Sequence, residues 1–189
     1  MTDILARWHA GQTFDEHFSG ATEPKLAAVA RSIRSRATVP DEIVARVRAA
    51  GPGWHLLVLS ADWCADAVSS LPWVDALASA CPNVGMRILD RDAHLDLMDT
   101  HLTNGRSRSI PIVILYDAAG VEHGWWGPRP SVLQAWVMSP EAQTMPAPER
   151  YAEQRRWYTA DGGRSTLEEL TALIERAARN PRPDRAHAP

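Results

Sequence analysis

The residues best suited to chemistry lie in Ser60-Ala61-Asp62-Trp63-Cys64-Ala65-Asp66-Ala67, where an apolar run gives way to a helical pattern. A cysteine is a nucleophile as its thiolate, so its surroundings decide what it does. At a helix start, Cys64 would meet unpaired backbone N–H groups and the positive end of the helix dipole, and both favour the thiolate. Asp62 and Asp66 oppose this, because a neighbouring carboxylate disfavours a second negative charge. The expectation is an accessible, moderately reactive thiol. Two plainer readings stand beside it. Asp66 is an acid in a first helical turn, which stabilises a helix without any catalysis. Cys64 is then an inert remnant in a fold used for binding.

Other groups with chemical potential lie further on. A cis bond at Ile110-Pro111 would expose the backbone of Ile110 to an extended substrate, whereas a trans bond would only end a loop. Trp126-Gly127-Pro128-Arg129 leaves the last strand-like segment. Arg129 is either a positive charge for a thiolate or for the carboxylates of a small thiol, or an exposed surface arginine. Asp90, Asp92, His94 and His101 mix carboxylates with imidazoles, but their spacing does not enforce convergence, and Asp92 as a helix cap explains more. Neither a metal nor another cofactor is expected.

The elements that must position these groups follow from periodicity. Leu26, Val29, Ala30 and Ile33 fall on one helical face after Pro24, and Asp41 can cap a short helix through Val47. Gly51-Pro52-Gly53 is a break. Beyond it, His55–Ser60 reads as a buried strand, and Ala65–Ala80 as a helix interrupted at Pro72. Val84–Asp90 is a strand, and a helix capped by Asp92 runs to about His101. Ile112–Tyr116 and Val121–Trp126 pair across a short turn. A helix begins near Ser131, an irregular stretch with three prolines spans Ser139–Pro148, and helices follow over Glu149–Tyr158 and Thr166–Ala178. Thr166 with Glu169 matches a capping box. This order predicts an α/β fold with a mixed sheet of about four strands flanked by helices.

Composition limits the classes of function. The chain has 189 residues, 45% hydrophobic and 23% charged, which suits a globular domain with a substantial core. Twenty basic against 23 acidic residues give a net charge of -3, which offers no basic footprint for nucleic acid. No apolar run is long enough for a membrane span, and Met1 to Gly11 lacks the features of a secretory signal. Two cysteines cannot form a disulfide scaffold, so a reducing cytoplasm is expected.

Trp63-Cys64-Ala65-Asp66-Ala67 at a strand-to-helix junction resembles the thioredoxin superfamily, whose active site is Trp-Cys-x-x-Cys there. Pro72 stands where that family has a helix-kinking proline, and Ser109-Ile110-Pro111 is similar to its cis-proline loop. The resemblance covers about Trp54 to Met138. Arg91-Asp92, Leu97-Met98-Asp99, Leu102-Thr103-Asn104-Gly105, Arg108-Ser109-Ile110-Pro111 and Trp126-Gly127-Pro128-Arg129-Pro130 resemble a bacterial branch whose active site is Trp-Cys-x-Asp-Cys.

The resemblance implies a thioredoxin-like core over 51–138 with helical extensions over 1–50 and 139–180, while three prolines and little apolar content make 181–189 a disordered tail. It implies that Cys64 is the nucleophile, with Trp63, Asp66, Ile110, Pro111, Trp126, Gly127, Pro128 and Arg129 around the substrate. The family's second cysteine falls on Ala67, and its buried strand acid on Val58. Cys81 cannot replace the missing thiol, because a helix over 65–80 spans roughly 24 Å while a disulfide needs Cα atoms within about 7 Å. Cys81 reads as a buried residue at a helix end.

Two functions remain open. One is a monothiol protein that exchanges with a protein disulfide or a low-molecular-weight thiol, an external thiol completing the cycle. The other is a redox-inactive module that binds an extended partner along Trp63 and the Pro111 loop. Oxidation of Cys64 by peroxide is a third reading, disfavoured by the acidic surroundings.

Overall fold

The apolar run after Gly53 becomes the inner strand of a sheet. In the computed structural model, which describes residues 4–51 and 53–180, β1 (Trp54–Ser60) lies parallel to β2 (Val84–Asp90) and antiparallel to β3 (Ile112–Asp117). β4 (Glu122–Trp126) pairs antiparallel with β3 and completes the order β2-β1-β3-β4. Leu56 sits beside Met86 and Leu115, and Val58 beside Ile88 and Val113. All four residues from Leu56 to Leu59 are buried, as a strand covered on both faces requires. The architecture is the expected α/β one, a four-stranded mixed sheet flanked by helices.

Parallel neighbours need a crossover, and α5 (Ala65–Ala80) supplies it between β1 and β2. The helix runs unbroken through Pro72 instead of being interrupted there. The proline removes one bond from the ladder, but Leu71, Val74 and Leu77 around it are fully buried and hold the helix in place. Among the described residues four helices precede the sheet: α1 (Ile4–Ala10), α2 (Phe14–Ser19), α3 (Pro24–Arg34) and α4 (Asp41–Ala49). Asp41 is the first residue of α4, with Pro40 at the cap position, so it does not cap that helix. Helix α3 packs on α5. It buries Ala27 and Ala30 but leaves Val29 49% exposed, so the apolar face is narrower than the sequence pattern implies. Between α1 and α2, Gln12 exchanges two backbone hydrogen bonds of 2.8 Å with Ile88, which covers the outer edge of β2.

Asp92 does not cap a helix reaching His101. Its carboxylate pairs with Arg91. Asp90 instead accepts from the N–H groups of Asp92 and Ala93, and only one turn follows, α6 (Leu95–Met98).

The carboxy-terminal part contains α7 (Ser131–Val137), α8 (Pro140–Thr144), α9 (Ala147–Asp161) and α10 (Arg164–Arg179). The proline-rich stretch thus holds a short helix, with Pro140 in its first turn where no N–H is needed. The expected capping box at Thr166 is absent, because α10 begins earlier and buries Thr166. The turn is made by Gly162 and Gly163, both at positive φ, and Asp161 accepts the Ser165 N–H. Helices α5 and α10 touch each other and pack on β2 and β4 respectively. The expected tail at 181–189 lies outside the described residues. Among the described residues no helix is long and apolar enough to cross a membrane.

Candidate functional site

Cys64 occupies the cap position of α5, with extended backbone geometry. Its carbonyl accepts the Val68 N–H at 3.0 Å, and its own N–H donates to Ala61 at 3.1 Å, which fixes the turn from strand to helix. The thiol donates to the carbonyl of Ile110 at 3.3 Å. Only 8% of the residue is exposed, so the sulfur is more enclosed than expected. Burial raises its pKa above the ordinary cysteine value. The N–H groups of Ala67 and Asp66 and the charge of Arg129 favour the thiolate, and the charge of Asp66 opposes it. Burial and Asp66 prevail over the helix start, and the group rests as a thiol at neutral pH.

Of the two expected acidic neighbours, only Asp66 acts on the sulfur. Asp62 turns away and accepts the N–H and the hydroxyl of Thr22. Asp66 is itself buried, where it forms an ion pair with Arg129 at 2.6 Å and accepts the Tyr158 hydroxyl at 3.0 Å. Burial raises the Asp66 pKa despite both partners. The Tyr158 hydroxyl is raised strongly, first by burial and then by the Asp66 charge. Asp66 thus anchors a buried cluster, beyond its effect on a helix end. Arg129 is not an exposed surface residue: one nitrogen meets Asp66 and another donates to Gln134.

The loop that meets Cys64 carries a cis Ile110–Pro111 bond, and a second cis bond joins Gly127 to Pro128. Ile110, Pro111 and Pro128 are buried. Gly127 has φ 129°, and a Cβ there would collide with the Pro111 carbonyl. That close approach seats the end of β4 against the Pro111 loop and delivers Arg129 to Asp66. Trp126 is buried and donates its indole N–H to Glu169 of α10 at 2.7 Å, so it ties strand to helix. Trp63 is 48% exposed, with the Arg91 guanidinium 5.1 Å from its ring centre.

A cavity of about 410 Å³ opens beside the thiol. Trp63, Cys64, Asp66 and Arg129 line one side, and Tyr151, Gln154, Arg155 and Tyr158 of α9 line the other. These four residues were not foreseen as part of the site. Their i, i+3, i+4, i+7 spacing places them on one helical face, which is the signal in the sequence. Trp126, Gly127 and Pro128 lie outside that lining.

Cys81 is at the far end of α5, fully buried, and both cysteines are free thiols. The acids and histidines near α6 are dispersed. His94 faces Arg7, and His101 bonds the Leu97 carbonyl and Glu122. Among the described residues no group of three such side chains is placed to hold a metal.

Residues 11–147, most of the chain, match the family model for thioredoxin. The chain belongs to the thioredoxin family. Two solved structures share the fold of this thioredoxin-family chain. A protein of unknown function from Pseudomonas aeruginosa is 19% identical, with 94% of this chain and 99% of that one covered at a TM-score of 0.72. An HIV epitope-scaffold is 16% identical, with 92% and 98% covered at the same TM-score. No curated protein matches the chain.

Proposed function

We propose that this thioredoxin-family protein is a monothiol exchanger of the bacterial branch with a Trp-Cys-x-Asp-Cys pattern, working in the cytoplasm through Cys64. Residues 51–138 form its exchange core, and the flanking helices wall the site. The observation that carries this reading is the placement of Cys64. It caps α5, faces the Ile110 carbonyl and opens on a cavity, while position 67 holds a fully buried alanine and Cys81 lies at the other end of the helix.

In exchange, the Cys64 thiolate attacks one sulfur of a disulfide and the other sulfur leaves as a thiolate that takes up the proton. A dithiol site would then release its partner internally. With Ala67 in that place the mixed disulfide waits for an external thiol. Asp66 holds Arg129 near the sulfur, so the positive charge that favours the thiolate is largely neutralised. Exchange is therefore slow at neutral pH and quickens as the pH rises.

The test is intact mass spectrometry of the folded protein after incubation with an oxidised small thiol. A single adduct on Cys64 that persists until a reducing thiol is added supports the reading. Modification of Cys81 instead, or no adduct, refutes it. Ala67→Cys should create internal release and raise the reduction of protein disulfides.

The burial of Cys64 and its raised pKa favour a second reading, a redox-inactive module that holds a partner between Trp63 and the Ile110-Pro111 loop. Cys64→Ala separates the two: partner capture that survives the substitution belongs to the binding module.

A further inference from the structure

If Cys64 exchanges with disulfides, the walls around it select which disulfides arrive. The cavity beside the thiol has a neighbour along the same face of α9. A second cavity, of about 440 Å³, shares Ala65, Ser69, Arg155 and Tyr158 with it, so the two adjoin as one cleft along α5 and α9, bordered by α3 at its far part. Each part lies within the size range of small-molecule pockets, roughly 300–1,000 Å³. The far part is walled by Leu26, Val29, Ile33, Val68 and Trp73. Its surface is apolar, and the partial exposure of Val29 is explained by its place on this wall.

Charge narrows the choice further. Four charged side chains line the cleft: Arg36, Asp66, Arg129 and Arg155. Asp66 and Arg129 neutralise each other at 2.6 Å. Arg36 and Arg155 make no side-chain hydrogen bond or ion pair within the described residues. The cleft therefore presents a thiol, an apolar body and two unpaired guanidinium groups, one of them at the junction of its two parts. A guanidinium offers paired donors that match a carboxylate or a phosphate. A residue that is 8% exposed and opens on this cavity is reached more readily by a small molecule than by a flat protein surface.

We infer that the substrate of Cys64 is a low-molecular-weight disulfide with an apolar body and an anionic group, bound with that group on Arg155 and Arg36. This assignment rests on the exchange reading and specifies its substrate. The step is balanced within that class. The Cys64 thiol and the small disulfide give the mixed disulfide and one small thiol, the Cys64 proton passing to the leaving sulfur. A second small thiol then attacks the mixed disulfide, which restores the Cys64 thiol and forms a new small disulfide.

Charge selectivity tests the assignment. The full chain is treated with a nitrobenzoate disulfide, which is anionic and aromatic, with neutral dipyridyl disulfide, and with cationic cystamine. Adduct formation on Cys64 is followed by intact mass, and each rate is divided by that of mercaptoethanol with the same reagent. The anionic reagent should lead cystamine by about tenfold or more, in line with electrostatic focusing in clefts of one charge sign. R155Q and R36Q should each shrink that ratio, and R176Q, on the far part of α10, should keep it. Equal normalised rates, a ratio unmoved by R155Q and R36Q combined, or equally fast attack on a folded protein's disulfide would overturn the assignment. Adducts without charge preference remove the substrate class alone. No adduct with any reagent removes the exchange reading together with it.

Discussion

At the scale of the residue, the chemistry of Cys64 is set by four influences that disagree. Burial raises its pKa, the α5 N–H groups lower it, and Asp66 and Arg129 act with opposite sign. Because Asp66 and Arg129 are a tight pair, removing either exposes the other. Asp66→Asn deletes the like charge and frees Arg129 to act on the sulfur, so the alkylation rate of Cys64 should rise at lower pH than in the parent protein. Arg129→Met should move the profile the opposite way. It should also cost about 3 kcal/mol of stability at neutral pH, since it leaves a buried carboxylate unpaired. That cost has a pH sign. Burial already raises the Asp66 pKa above its unfolded value, so Asp66 takes up its proton at a higher pH in the folded chain than in the unfolded one. The loss should shrink as the pH falls through the Asp66 value and the carboxylate is neutralised. Urea midpoints at neutral and acidic pH check it, and an equal loss at both would refute the buried pair as the cause.

Elements explain what the sequence made legible and what it hid. The run Leu56 to Leu59 carries a strand buried on both faces, and such a run has few other solutions. Its helix follows because a parallel neighbour needs a crossover. Cys64 and Asp66 follow from that junction, whereas Ile110 and Arg129 come to it only through the family resemblance. Helix α9 was legible as a helix but not as a wall, because nothing local says which element its Tyr151, Gln154, Arg155 and Tyr158 face will meet. Trp126 came to the site through the resemblance, and its burial and its indole hydrogen bond to Glu169 tie β4 to α10, a long-range contact that no local pattern announces. The turn ahead of α10 was missed because Thr166 with Glu169 imitates a capping box, whereas Gly163 makes the turn by its conformation. A Cβ on Gly163 would fall inside the indole of Trp73, at a φ of 75° that side chains avoid. Gly163→Ala should therefore lower stability by about 2 kcal/mol or more, in the range of strained backbone sites. The element it displaces is the α9–α10 corner beside the cleft. A Tm change within error of zero would show that the corner relaxes without cost.

Across the whole molecule, two buried histidines far apart in the chain, His17 on α2 and His101 just after α6, make stability depend on pH in opposite directions. His17, on α2, is buried beside Phe18, and burial lowers its pKa despite the acidic charges of Asp62 and Asp90. Its depressed value means that the unfolded chain binds a proton first, so its contribution is present above the unfolded value near 6.5 and is lost as the pH falls. His101 has the reverse sign. Burial opposes its charge, but Glu122 and the Leu97 carbonyl outweigh burial and raise its pKa. Its contribution is complete below the unfolded value and disappears as the pH rises through the folded one. His101 acts above the unfolded value of 6.5 and His17 below it, so together they should give the parent protein's urea midpoint a maximum near that pH. Separating them should expose both slopes. His17→Gln should make the midpoint rise toward acid, as only the His101 contribution remains, and His101→Gln should make it fall toward acid. Slopes of the same sign in both variants would show that neither histidine governs the profile, and would transfer the pH dependence to carboxylates such as Asp117 and Glu175, whose pKa values are lowered.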